Sequence, residues 1–413
     1  MLKKFNYKLV AYSTLIVVLF LTASAFKFNQ SIDNQSSSSS GMPGIQTPIT
    51  GDVGQLRYFF NALKEARSKK MRIAHFGDSI IEGDLISSDL REYLQQKFGG
   101  NGAGFLSMNS FDVQFRKSTR QSFSSDWKAS SIFTRNPDKL PVGLNGSAYC
   151  AVENSWVKFE VSNYSKWLKS FKVAKIYYTN ASNNATLKYS FNNGSVQSVK
   201  LQPGNTVKEI TISSSSDAHS VQVNFSSCGN TVFYGVSLEN GSGVYVDNFP
   251  LRGNSGVSIT DIPVHIMKDF NNILNYKLII LQFGLNVLTA QQNDYAWYVN
   301  KMDNVINNLK QAFPNASFLL ISVGDKSEKQ GSRFVTHAGV MQLIKAQKTI
   351  ADKNRIAFWN MYEAMGGKNS MEQWVSANPP LAFKDYSHLT YEGATRVGQL
   401  LFQALMNEYN KVK

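Results

Sequence analysis

The chain has 413 residues, 43% of them hydrophobic and only 17% charged. That apolar content excludes a disordered protein, and the length exceeds a lone small binding module, allowing two domains or one large one. Against 29 acidic residues stand 43 basic ones, a formal net charge of +14. Such an excess favours anionic surroundings or serves solubility alone. No basic-aromatic motif points to nucleic acid, so a phosphate- or carboxylate-rich envelope polymer is the better partner.

Residues 1–25 read as an export signal. Lys3, Lys4 and Lys8 precede an apolar run from Leu9 to Ala25 that ends in Ala23-Ser24-Ala25, a small-residue pattern suited to a signal peptidase. The run is near the lower length limit for spanning a bilayer, so an uncleaved membrane anchor is the alternative. Both readings place the rest of the chain outside the cytoplasm, in the periplasm or cell envelope. Residues 26–50, with Ser36 to Ser40 unbroken, describe a flexible tether.

From Gly51 the pattern is α/β. Leu56–Lys69 suits a helix, Met71–Phe76 a short buried strand ending at Gly77, and Asp84–Phe98 a helix with Ile86, Leu90, Tyr93 and Leu94 on one face. Between about Phe111 and Val246 the rhythm changes to short alternating runs, such as 156–161, 175–178, 187–191 and 221–225, separated by Asn-Gly and Ser-rich turns. This is the pattern of a β-sandwich. The α/β rhythm then returns, with strands at 277–283, 317–322 and 355–359, helices at 294–313 and 334–352, and a last helix after Thr390. Helices alternating with apolar strands imply a parallel sheet covered on both faces. The predicted organisation is therefore one α/β domain, 51–110 and 248–413, interrupted by a β-domain at 111–247.

Four segments fall at predicted strand ends on one sheet edge, where open α/β sheets bind ligands. Gly77-Asp78-Ser79 exposes a hydroxyl at a strand-to-helix turn, where Ser79 can act as nucleophile while its own NH donates to a developing oxyanion. Asp385-Tyr386-Ser387-His388 precedes the last helix, and its three-residue separation lets Asp385 hydrogen-bond the His388 ring and stabilise an imidazolium. In Arg252-Gly253-Asn254-Ser255-Gly256 a glycine lets the backbone approach a ligand with its NH available. Gly284-Leu285-Asn286 places an amide at the end of the strand 277–283. Taken singly, each is a helix cap, a surface His or a loop; together they suggest a serine-ester site.

These blocks resemble, in order, those of the SGNH, or GDSL-like, hydrolases. The resemblance implies a flavodoxin-like three-layer domain with Ser79 as nucleophile, His388 as general base and acid, Asp385 as its orienting partner, and an oxyanion hole from the Ser79 NH, the Gly253 NH and the Asn286 side chain. It requires neither metal nor organic cofactor. One departure bears on how the third block is braced: Val287 follows Asn286, where the family often has Asp. The arrangement around a β-insert, with Ile81-Glu82-Gly83-Asp84, Gly102-Ala103-Gly104-Phe105, Val236–Asn240 and Val246–Asn248, is similar to the peptidoglycan O-acetylesterases, in which a jelly-roll module like a carbohydrate-binding module interrupts the hydrolase. That branch implies an O-acetylated glycan substrate. An O-acetyltransferase would use the same residues. A lipid or thioester hydrolase would need a long acyl channel, and a glycan-binding protein would use the insert alone.

Other polar and aromatic residues have blander readings. His75 is expected to be satisfied inside the fold, His219 and His265 to be structural or exposed, and His337 to lie on a helix. Trp156, Trp167, Tyr177, Tyr178 and Tyr189 more often fill a sandwich core than stack on sugars. Cys150 and Cys228 permit one disulfide or two thiols. No HExxH, CxxC or compact His/Cys/Asp cluster suggests zinc.

Overall fold

The computed structural model describes residues 43–110, 114–133, 139–152, 154–165, 167–289 and 294–412. The predicted export signal and most of the predicted tether lie outside them. Among the described residues no helix is long and apolar enough to cross a membrane.

The chain opens with β1 (Ile49–Gly51), α1 (Arg57–Glu65), β2 (Lys70–Gly77) and α2 (Ser87–Phe98). A run of strands follows: β3 (Gly104–Ser107), β4 (Thr119–Phe123), β5 (Lys128–Ser131), β6 (Ser147–Cys150), β7 (Trp156–Val161), β8 (Phe171–Thr179) and β9 (Thr186–Phe191). It continues through β10 (Gln197–Lys200), β11 (Lys208–Ala218), β12 (Ser220–Ser227), β13 (Val232–Glu239) and β14 (Gly243–Pro250). Next come α3 (Val264–Leu274), β15 (Tyr276–Gln282), α4 (Ala296–Ala312), β16 (Ser317–Ile321), β17 (Ser327–Gln330) and β18 (Arg333–Thr336). The chain closes with α5 (Val340–Lys353), β19 (Ala357–Trp359), α6 (Met361–Met365), α7 (Ser370–Ser376) and α8 (Tyr391–Lys411).

One six-stranded sheet has the order β1-β19-β16-β15-β2-β14, parallel except for β1. Its strands are buried on both faces because successive residues feed opposite cores. Leu278 and Ile280 of β15 face α1, α2 and α8, whereas Ile279 and Leu281 join the cluster containing α3, α4 and α5. The α8 face of Val397, Leu400, Leu401 and Leu405 is buried as its spacing requires. Two antiparallel sheets make the insert, β10-β9-β12-β7-β4 and β11-β8-β13-β6-β5, with β3 also paired to β13. Val157, Phe159, Val221 and Val223 from one sheet meet Ile176, Phe233 and Val236 from the other in a shared core. This is a sandwich.

The sheets divide the chain at different points from 110/111 and 247/248. β3 belongs to the insert, because residues 104–107 pair with β13. β14 begins at Gly243 and is an edge strand of the parallel sheet, in register with β2 from Gly243↔Lys70 to Pro250↔Gly77. The two sheet systems are joined by a buried ion cluster. Arg72 of β2 donates to Asp247 of β14 at 2.9 Å and is paired with Glu239 of β13, while Tyr276 and the Phe105 NH both donate to Asp247, at 2.7 and 2.8 Å. Such charges are retained only when paired and hydrogen-bonded.

Three further expectations are corrected. The tether does not extend to residue 50: the Ile45 NH donates to Ala364 O, Ile49 is 4% exposed, and β1 pairs with β19, so apolar burial and strand pairing fix this stretch. The helix expected over 334–352 begins only at Val340. Phe334-Val335-Thr336 is instead strand β18, folded back on β17 through Gly331 at φ +60°, and His337 sits in the turn that follows. The helix expected from Asp84 begins at Ser87, since Asp84 and Ile86 have positive φ. Of the two readings left open for Cys150 and Cys228, the structure has the thiols without a disulfide, and burial pushes the Cys228 thiol up to about 12.

Candidate active site

The carboxyl edge of the parallel sheet brings the polar segments together. β2 ends at Gly77, where a side chain would strike Gln282 O at 2.8 Å and Ile81. A short 3-10 turn follows from Ser79 and is broken at Glu82, which is extended, and at Gly83, with φ +72°; Asp78 caps it, its Oδ1 accepting from the Ile80 NH at 3.0 Å. The other oxygen of Asp78 accepts from the NH groups of Gly284 and Leu285, at 3.1 and 3.2 Å. One buried carboxylate thus ties the loop after β2 to the loop after β15. Burial pushes its pKa from 3.8 up to about 6, against the pull of the three NH groups and of His388.

Ser79 Oγ lies 2.9 Å from His388 Nε2, although 309 positions separate them. His388 Nδ1 lies 2.6 Å from Asp385 Oδ2, and the second oxygen of Asp385 accepts from the NH groups of Ser387 and His388, each at 3.0 Å. Partial burial raises the Asp385 carboxyl, but its bonds to the His388 ring and to these two NH groups outweigh that, so it is held below its ordinary value. The carboxylate is therefore ionised at neutral pH and orients the ring with Nδ1–H toward itself, leaving Nε2 to accept from the Ser79 hydroxyl.

The other two blocks border the same edge. Leu251 NH donates to Gly77 O at 2.7 Å, bringing the end of β14 beside the start of the serine turn. Gly253 has φ +75°, and a side chain built on it would meet nothing within 4 Å, so it fronts open space. Asn286 Nδ2 donates to Asn254 O at 3.2 Å, linking the third block to the second. Val287 is 3% exposed and points into the core. The loop is braced from the serine turn, where Asp78 accepts from the NH groups of residues 284 and 285.

No protein-family model matches the sequence, and no curated protein does. Among solved structures, a peptidoglycan O-acetylesterase superposes with a TM-score of 0.71 and 19% identity, covering 88% of this chain and 99% of that one. A family two carbohydrate esterase from Cellvibrio japonicus covers 72% of this chain and 99% of its own at 10% identity, with a TM-score of only 0.28. The chain has the SGNH-hydrolase fold.

Within this SGNH fold, several contacts support the edge that the sequence blocks did not reveal. Asp78 belonged to a recognised block, yet its cross-loop bonds depend on β15 lying beside β2. Tyr386, inside the Asp385–His388 turn, has φ +55°, its carbonyl accepts from the Ser327 NH at 3.0 Å, and its ring stacks on Phe334 with centroids 3.6 Å apart. Nothing in local spacing pairs residues 334 and 386. Arg252 Nη1 bonds Glu82 Oε2 at 2.6 Å, joining the second block to the serine turn.

The remaining candidates take other places. His75 is fully buried, with Nε2 2.9 Å from Gln282 Oε1 and Nδ1 2.9 Å from Ser87 Oγ, and burial lowers its pKa to about 4. It is a neutral structural ring beneath the edge. His219 and His265 are exposed. Tyr178 and Tyr189 fill the insert interior, Tyr177 packs instead in the cluster shared with the α/β body, against Phe105 and Phe270, Trp156 is half-buried, and Trp167 is exposed and donates to Gly100 O. Among the described residues no group of three His, Cys, Asp or Glu side chains could hold a metal ion.

Proposed function

We propose that this protein is a serine ester hydrolase that removes O-acetyl groups from a carbohydrate polymer of the cell envelope, with peptidoglycan as the substrate. The observation that carries the reading is the Ser79–His388–Asp385 relay, with its 2.9 and 2.6 Å links, on the carboxyl edge of an SGNH fold. The superposition on a peptidoglycan O-acetylesterase over 99% of that chain, insert included, supports the substrate class. The basic charge supports an anionic polymer, and the N-terminal basic-apolar segment supports an exported or membrane-attached enzyme.

His388 Nε2 takes the hydroxyl proton as Ser79 Oγ attacks the acetyl carbonyl. Negative charge on the carbonyl oxygen is met by the NH groups of Ser79 and Gly253 and the Asn286 amide. His388 then gives its proton to the departing sugar oxygen, and water, deprotonated by the same ring, releases acetate from the acetyl-serine. Acetate release from p-nitrophenyl acetate and from O-acetylated peptidoglycan tests the reading. Turnover that disappears in Ser79→Ala supports it, and turnover that survives the substitution refutes it. Recovery of the acetyl group on a sugar hydroxyl, instead of as acetate, would make the enzyme a transferase.

A further inference from the structure

Three consecutive residues of the insert, Phe115, Arg116 and Lys117, lie just ahead of β4 and reach back to the catalytic edge. On the nucleophile side they meet the part of the serine turn that follows Ser79. The Phe115 ring packs so closely on Gly83 that a side chain there would come within 2.7 Å of it, and the Lys117 NH donates to Gly83 O at 2.9 Å. Arg116 lies 3.7 Å from Asp84 and reaches Asn248 Oδ1 at 3.5 Å, while Asn248 in turn donates to Ile81 O at 3.0 Å. Residues 81, 83 and 84 are thus held from outside the turn.

The same three residues hold the base side. Tyr391 opens α8, just beyond His388, and its hydroxyl donates to Phe115 O. Lys117 Nζ donates to Thr395 Oγ1, one turn further along α8, at 2.8 Å, and to both oxygens of Asp89 on α2, at 2.6 and 2.8 Å. Tyr164 of the insert closes the joint, its ring 5.2 Å from that of Tyr391 and 5.1 Å from Lys117 Nζ. Arg116 and Lys117 are buried, and a buried charge is tolerated only in the geometry that pairs it, so the segment has one place to sit.

We infer that residues 115–117 form a positioning clamp for the proposed reaction: gripping the serine turn and the first turn of α8 together, they set the 2.9 Å separation of Ser79 Oγ and His388 Nε2. Asp78 ties the serine turn to the loop after β15, whereas the clamp ties it to the helix that follows the base. The inference rests on the esterase reading above and gives the insert a part in turnover itself. A displacement of about 1 Å between reacting groups can cost on the order of a hundredfold in rate, so loosening either grip acts on kcat. Because the clamp acts on nucleophile and base, it affects small and polymeric esters alike.

Two mild variants of the full chain test it. Phe115→Ala takes the ring off Gly83, and Tyr391→Phe removes the donor to Phe115 O while keeping the aromatic contact with Tyr164. Phe115 is 38% exposed and Tyr391 loses one hydroxyl, so both variants should fold with thermal midpoints little changed. On p-nitrophenyl acetate kcat should fall about tenfold in Phe115→Ala and about threefold in Tyr391→Phe, with KM nearly constant, the same factors on O-acetylated peptidoglycan, and rescue by Phe115→Tyr. Labelling of Ser79 by a fluorophosphonate, which needs the contact with His388 but no sugar, should slow in parallel. Wild-type kcat in either variant, a change confined to KM, or a loss seen with peptidoglycan alone overturns the clamp. Hydrogen exchange decides without turnover: Phe115→Ala should speed exchange in residues 79–87 and 385–395 alike and leave β12 and β13 unchanged, and unaltered protection in either segment overturns the clamp. Should the wild type neither cleave the esters nor take the label, the esterase reading fails separately, and the exchange experiment alone decides whether the clamp couples the two turns.

Discussion

The carboxyl edge of the parallel sheet and the interior of the insert are held together by different forces. At the edge, single hydrogen bonds between distant segments set position: Asp78 to residues 284 and 285, Asn286 to Asn254, Ser79 to His388. Within the insert, apolar and aromatic side chains such as Phe159, Ile176, Phe225 and Phe233 pack without directional demands, and buried charges occur where the insert meets the body, as in the Arg72–Glu239–Asp247 cluster and the Lys117–Asp89 pair. Packing tolerates volume-conserving change, whereas a misplaced donor or base loses rate steeply. Small substitutions at the edge should therefore act on turnover, and those in the insert interior mainly on stability.

The largest effect should come from Ser79→Ala, which removes the proposed nucleophile. Turnover of p-nitrophenyl acetate should fall by about 10⁴ or more, with the thermal midpoint little changed. Asn286→Ala deletes one proposed oxyanion donor and should lower kcat on the order of a hundredfold; a loss of less than about threefold would remove Asn286 from the site.

Asp78 gives a pH-dependent test. Its carboxyl is raised in the folded chain from 3.8 to about 6, so the native state binds the proton more tightly than the unfolded one. Its contribution to stability is therefore greatest below about pH 4, declines as pH rises through 4 to 6, and is constant above that. Urea unfolding of the wild type against Asp78→Asn should show the difference moving against the wild type by on the order of 2–3 kcal/mol across this window. A difference that does not vary with pH would break the account.

Phe334→Ala removes the ring stacked on Tyr386 and loosens the turn that carries Asp385 and His388. A drop of about tenfold in kcat, with KM nearly constant and rescue by Phe334→Tyr, would mark Phe334 as a positioning residue; an equal change in KM would mark a substrate contact instead. The smallest effect belongs to the insert. Tyr177 OH is buried without a hydrogen-bond partner, so Tyr177→Phe should shift stability by less than about 1 kcal/mol, measured by urea unfolding, and leave ester turnover unchanged.

Much of the edge was legible because each block carries its own chemistry. Three residues separate Asp385 from His388, so their contact is a local matter, and Gly77-Asp78-Ser79 ends a strand whose apolar run is plain. Other features depended on pairing across the chain. The strand Gly243–Pro250 is a short apolar run, Val244-Tyr245-Val246, followed by Asp247 and Asn248, and so matches an insert strand as well as a buried parallel one; only its place beside β2 distinguishes the two. Phe334-Val335-Thr336 was absorbed into the helix behind it because a four-residue strand has too few residues to establish a period.

The amino-acid sequence by itself determined which residue types stand at the strand ends, the change from α/β to β-rich rhythm, and the basic charge, because these follow from side-chain chemistry and short-range periodicity. Only the tertiary structure decided that Ser79 meets His388, that Asp78 braces the Gly284 loop, and that the insert reaches both the serine turn and the last helix. Those contacts join residues tens to hundreds of positions apart, and their geometry is set by strand order and sheet packing, which no local pattern encodes.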